Sequence, residues 1–158
     1  MEFQRANRTD PERVFITYKN SYSTATLTNG QWCAIDIVTD KDGVGVTKPS
    51  GANRSSIAGV AIESIVHNDY GLVQVWGYKA DARCLGGSGS VTSKITAGRP
   101  LYFATSAFAA RAMERNSAAL KADYGKDIVG IGIEPLNTAA IATFAATSGQ
   151  YEVLIRCL

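Results

Sequence analysis

The chain has 158 residues, 46% of them hydrophobic and 19% charged, with a formal net charge of +2. That length suits one compact domain, since independent domains run to about 100–150 residues, and the balance of apolar and charged residues excludes a disordered chain. The charge is too small and too scattered to supply the basic stripe that nucleic-acid binding needs, and no apolar run reaches the length of a membrane-spanning helix.

Residues 1–13 show no periodicity and interleave Arg5, Arg8 and Arg13 with Glu2, Asp10 and Glu12. They are expected to form an extended arm whose mixed charge suits docking on protein rather than on phosphate. The arm is polar and lacks the apolar core of a signal peptide, so a soluble chain is expected. Residues 14–158 then read as a single β-rich domain. Val14-Phe15-Ile16-Thr17-Tyr18 is rich in the branched and aromatic side chains that suit a pleated strand, and Asn29-Gly30 marks a turn before a second strand over residues 32–38. Asp40-Lys41-Asp42-Gly43 predicts a tight turn, with Val44-Gly45-Val46-Thr47 as the returning half of a hairpin.

Residues 48–56, with Pro49, Gly51 and Asn53, read as a loop, and residues 57–64 as a strand in which Gly59 serves a bulge or a close neighbour. His67-Asn68-Asp69 is the loop before a strand at 72–78, and Leu85-Gly86-Gly87-Ser88-Gly89-Ser90 the most flexible-looking connection. After a strand at 100–104, residues 106–122 are alanine-rich, with Met113 and Leu120 at helical spacing and Thr105 or Ser106 as N-cap. One α-helix is expected there, ended near Gly125. Residues 137–147 give no clear signal, and residues 151–155 form a closing strand.

The chain also repeats itself. Ile57-Ala58-Gly59-Val60-Ala61-Ile62-Glu63 returns as Ile128-Val129-Gly130-Ile131-Gly132-Ile133-Glu134, and each copy leads through a polar loop to a Gly-led apolar run, at Gly71 and at Gly149. Leu27-Thr28-Asn29-Gly30 and Ile95-Thr96-Ala97-Gly98 sit upstream at a similar offset. A period of roughly 70 residues is too long for a solenoid and fits an internally duplicated β-unit, with halves at about 14–85 and 91–158. The fold class expected is therefore mainly β, internally duplicated, with one helix and an N-terminal arm.

Groups that could carry chemistry are sparse. His67 is the single histidine, set among turn formers, and no nucleophile elbow accompanies it. Asp36, Asp40 and Asp42 lack the distal Glu of a calcium loop, and Gly43/Gly45 and Gly130/Gly132 lack the third glycine and following helix of a dinucleotide site. Cys33, Cys84 and Cys157 have no metal-ligand spacing and read as small hydrophobes in strands, at ease in a reducing cytosol. Glu63 and Glu134 could be weighed as a glycosidase pair, but equivalent places in a repeat point to equivalent structural roles. Trp32, Trp76, Tyr78 and Tyr102 could form a sugar-binding platform, or could be core and interface anchors. The sequons at Asn7 and Asn53 lack a secretion signal to make them acceptors. These residues predict no catalysis, no metal and no cofactor.

Four segments carry a resemblance. Phe15-Ile16-Thr17-Tyr18-Lys19-Asn20, Leu27-Thr28-Asn29-Gly30-Gln31, Ile57-Ala58-Gly59-Val60-Ala61 and the run from Tyr70 to Tyr78 together resemble the decoration, or cement, proteins of tailed-bacteriophage heads. The resemblance implies an antiparallel β-barrel or β-tulip-like fold, often a homo-trimer, made in the host cytoplasm. It further implies a place on the outer capsid surface, where the protein stabilises the major capsid protein lattice. Under it Arg5, Arg8 and Arg13 are expected to pair with capsid carboxylates. A carbohydrate- or receptor-binding module on a virion surface, using the loops at 48–56 or 85–90, is the alternative.

Overall fold

The computed structural model describes residues 12–23, 25–40, 42–50, 56–85, 97–98, 100–103, 108–112, 128, 130–132 and 148–157. Its branched and aromatic runs form strands β1 Val14–Asn20, β2 Trp32–Ile35, β3 Gly45–Thr47, β4 Ile57–Ala61 and β5 Tyr70–Leu85. They are followed by β6 Pro100–Phe103, β7 Ala110–Ala112, β8 Gly130–Gly132 and β9 Ser148–Arg156. The fold is mainly β, and the nine strands among the described residues join one hydrogen-bonded sheet.

That sheet closes on itself twice, which makes it barrel-like. β1, β3, β2, β4 and β5 form one ring, and β5, β7, β6, β8 and β9 form another, with β5 common to both. Each pairing of the first ring recurs in the second. The parallel pair β1–β3 is matched by β5–β7. The antiparallel pairs β2–β3, β2–β4, β4–β5 and β1–β5 are matched by β6–β7, β6–β8, β8–β9 and β5–β9. The duplication read from the sequence is thus a duplication of strand pairing. Its register differs in one place. Ala61 faces Val73 and Gly132 faces Val153, so Val73 and Val153 are equivalent and Gly71 corresponds to Tyr151 rather than to Gly149.

β5 changes rings between Gln74 and Tyr78. The β1 register skips a residue there, Gly77 takes φ +99°, and the buried Gln74 side chain donates to the carbonyls of Trp76 (3.2 Å) and Tyr78 (2.9 Å). A Cβ at Gly77 would strike the Glu12 carbonyl, so the chain entering β1 lies directly over this bend.

Two cores result, one per ring. Leu27, Cys33, Val46, Ala58, Ala61, Ile65 and Val73 fill the first, with Tyr18, Ile35 and Phe108 packed against them. Ala82, Cys84, Leu101, Ala110, Val153 and Ile155 form the second together with Trp32 and Val60 of the first ring. Successive side chains of a strand point to opposite faces, so on β2 Cys33 points into the first ring while Trp32 reaches into the second, where small residues leave it room.

Two sequence expectations are corrected here. The strand expected over 32–38 ends at Ile35, because the Asp36 carboxylate accepts the N–H groups of Val38 (3.2 Å) and Thr39 (2.9 Å) and turns the chain. The helix expected over 106–122 is not found among the described residues. Phe108 and Ala109 form a bend and Ala110–Ala112 is β7, paired with β6 from Leu101 to Phe103. Alanine's helical propensity is worth only tenths of a kcal/mol per residue against most others, and strand pairing overrides it. Residues 113–122, like 86–90 and 137–147, lie outside the described residues.

Candidate docking surface

Several of the residues weighed for chemistry have structural roles, while His67 lines an open cleft with Asp40 and Asp42. Glu63 Oε1 accepts the Leu72 N–H at 2.7 Å and so fastens the β4–β5 connection, while Glu134 lies outside the described residues. His67 sits in a tight turn with Asn68, whose φ is +68° and whose N–H donates to the Asn20 carbonyl. Trp32 is fully buried, with Nε1 donating to the Arg83 carbonyl at 2.9 Å. Trp76 is half-buried beneath the Arg156 guanidinium, 5.8 Å from its ring centroid. The tryptophans therefore do not form an exposed platform. Burial pushes all three thiols up, those of Cys84 and Cys157 to about 12, which keeps them from acting as thiolates. No group of three or more His, Cys, Asp or Glu side chains able to hold a metal occurs among the described residues.

Of the arm residues, Arg5 and Arg8 lie outside the described residues. Arg13 is exposed, and its guanidinium lies 5.9 Å from the centre of the Tyr78 ring, a cation–π contact between the entry to β1 and β5, while residues 1–11 of the expected arm lie outside the described residues.

Two polar clusters were not read from the sequence. Lys79, buried where the rings meet, donates to Asn29 Oδ1 at 3.0 Å and pairs with Asp81, while Asn29 also donates to Asp81. This cluster ties the Asn29–Gly30 turn of the first ring to β5. The second cluster centres on Asp36, which lines an open cleft of about 490 Å³; a neighbouring cleft of about 470 Å³ shares Ser21, Ser23 and Thr39 with it. Burial pushes the Asp36 carboxyl up, but hydrogen bonds from Thr39, Ser21 and Val38 outweigh it and hold it below the usual carboxylate range. Asp81 follows the same balance, with burial overcome by Lys79 and Asn29.

A carboxylate whose pKa is lowered by folding stabilises the fold above its unfolded pKa, and that contribution is lost as pH falls through the lowered value. Melting temperature is therefore expected to fall below about pH 4, and Asp36→Asn to flatten the fall. An unaltered pH profile in the variant would remove Asp36 from this account.

Among the described residues, one group of exposed apolar side chains lies on the outside of the first ring. Directly opposed residues of an antiparallel pair share a face, so Thr17 with Leu72 and Lys19 with Tyr70 place Phe15, Thr17, Leu72 and Tyr70 on one outward surface. Phe15 is 41% exposed and Tyr70 63%. Val44 adjoins them, accepting the Lys19 N–H at 2.9 Å and itself exposed. Alternate residues turn their backbone groups the same way, so Thr17 presents its N–H and C=O along the edge that Lys19 uses toward β3. Pairing with β3 covers only Lys19 and Asn20, and among the described residues no strand continues it along Phe15 to Thr17. An exposed strand edge beside an apolar face is a surface fitted to a protein partner. The run Val14-Phe15-Ile16 is apolar throughout, so alternation in the sequence could not say which face looks outward.

No protein-family model matches the chain, and no curated protein does. Among solved structures the chain is similar to the N base of the head fiber gp8.5 in bacteriophage phi29, at 12% identity and a TM-score of 0.49, the match covering 91% of this chain and 94% of that one.

Proposed function

We propose that this protein is a structural virion protein that binds the outer surface of a tailed-phage capsid and stabilises the major capsid protein lattice, acting without catalysis or cofactor. The observation that supports this reading is where the four segments resembling phage decoration proteins lie. β1 and β4 pair along β5 over residues 70–76, and the 27–31 segment joins them through the Leu27–Ile65 bridge and the Gly30 N–H to Ala61 C=O bond of 2.9 Å. Segments separate in sequence thus form one continuous piece of the first ring.

In this reading the rings are the rigid body and residues 1–13 the arm, with Arg5, Arg8 and Arg13 meeting carboxylates of the major capsid protein. Such a protein works by mass action, because whatever binds only the assembled lattice stabilises that state. Single surface ion pairs contribute little each, and a homo-trimer would multiply them by multivalency.

The test is co-sedimentation of purified protein with capsid shells stripped of their decoration, before and after expansion. Saturable binding that raises the melting temperature of expanded shells is expected, weakened when Arg5, Arg8 and Arg13 are replaced together by Glu. Absence of binding to either shell would overturn the reading and turn attention to glycans.

A further inference from the structure

The first ring packs on the second through a set of residues that the duplication supplies twice. In the first ring the Asn29–Gly30 turn lies against β5 where β5 has joined the second ring. Gly30 C=O accepts the Arg83 N–H at 2.7 Å, and a Cβ on Gly30 would run into the backbone of Asp81. Beside the turn, Trp32, Val60 and Ile57 pack on the second ring's core.

The second ring carries a counterpart for each. Gly98 has φ +78° against +82° for Gly30, and its N–H donates to Gly132 C=O at 2.8 Å as that of Gly30 does to Ala61. Pro100 opposite Ile131 repeats Trp32 opposite Val60, and Ile128 repeats Ile57. These counterparts are not covered in the same way: a Cβ on Gly98 would meet nothing within 4 Å, and Ile128 is 53% exposed.

The receiving side is duplicated too. Tyr18 faces Gly71 as Ala82 faces Tyr151, and Lys79 faces Val153 as Ile16 faces Val73. β1 is therefore the counterpart of the part of β5 that accepts the Asn29–Gly30 turn. Lys19, the counterpart of Arg83, already gives its N–H to the Val44 carbonyl at 2.9 Å, however, and leaves only the stretch from Phe15 to Thr17 for a partner. The β1 edge at Phe15 to Thr17 is the open one described above, and Ile16 beside it is 38% exposed.

We infer that the outer face of the second ring, around Pro100, Ile128 and Ile131, docks on the β1 edge of a second copy of this chain, head to tail. The contact follows the ring-to-ring junction inside the molecule but is shallower. Pro100 replaces the Trp32 plug, and the first ring, with Tyr18 and Val46 where the second has Ala82 and Ala110, fills its own interior. The two patches differ, so the interface is heterologous, and its rotation decides between a closed ring and an open chain. This contact would supply the homo-trimer of the capsid reading if its rotation closes after three copies, and its test uses no shells, so that self-association and capsid binding fail separately.

The experiment is molar mass by light scattering and sedimentation equilibrium over a concentration series, for wild type, Phe15→Lys and Ile128→Lys, with melting curves to establish folding. Wild type is expected to exceed the monomer mass, and each variant alone to be monomeric. An equimolar mixture of the two variants is expected to form a dimer and stop there, because one unaltered pair of surfaces remains between them. A monomeric wild type, wild-type mass in either variant, or a monomeric mixture would each overturn the head-to-tail contact. Phe15→Ser and Ile128→Ser replace any lysine variant that fails to fold.

Discussion

Replacing Trp32 with alanine is expected to destabilise the protein by about 3–5 kcal/mol, lowering its melting temperature by on the order of 10 °C. The side chain is fully buried, belongs to the first ring and fills the core of the second. Its neighbours there include Ala82, Cys84 and Ala110, which are too small to collapse into the space it would leave. Truncation also strips the Arg83 carbonyl of its bond from Nε1. Trp32→Phe separates the two effects, since it keeps most of the ring volume and loses the donor, and a loss nearer about 1–2 kcal/mol is expected. Differential scanning calorimetry of the three proteins checks both values. A shift of less than about 2 °C for Trp32→Ala would mean that the second core does not depend on a side chain lent by the first.

That dependence explains what could be read from the chain. The turn glycines Gly30 and Gly98, and the Ile57 and Ile128 runs, keep their residue types because both copies meet the same backbone demands, so the duplication was visible. The shared strand was not, since the mark it carries where it passes from one ring to the other is Gly77, which a strand pattern absorbs as a bulge. The pairing partners reveal the change, together with the positive φ of Gly77 and with Gln74 holding two carbonyls across the bend. Ala110 to Ala112 read as helix because small residues leave a local pattern undecided, and β6 decides it. Ile37 and Val38 read as strand because an apolar pattern does not register that Asp36 can bind the next two N–H groups.

The candidate surface was less legible than the fold, because its members are ordinary strand residues distinguished only by what fails to cover them. Phe15 and Leu72 belong to the same kinds of apolar run as the buried Val73 and Val75. The contact of Arg13 with the Tyr78 ring joins positions far apart in the sequence, so no local pattern announces it. The polar groups at the ring junction were missed for the same reason. Lys79 and Asp81 stand two apart on a strand and look like a solvated pair until the Asn29 turn is laid over them.

The duplication supports a second prediction, in which one half of the molecule is the control for the other. Gly30→Ala and Gly98→Ala make the same chemical change at equivalent turns, with φ of +82° and +78°. Placing a Cβ at such a φ costs about 1 kcal/mol or somewhat more, and that part is expected in both variants. At Gly30 the new methyl also collides with the Asp81 carbonyl, and relieving the collision means moving the turn off β5. The Gly30 C=O to Arg83 N–H bond and the contacts of Asn29 with Lys79 and Asp81 are then strained together, leaving a buried lysine short of partners. Lys79 keeps Asp81 on its own strand, and losing the Asn29 hydrogen bond to a charged group costs about 1.5–3 kcal/mol. Gly30→Ala is therefore expected to lose several kcal/mol, and Gly98→Ala about 1 kcal/mol. Urea unfolding at concentrations where the chain is monomeric measures both. Equal losses would mean that the turn of the first ring is not held against β5 and that the two rings are joined by the shared strand and the packing of Trp32, Val60 and Ile57.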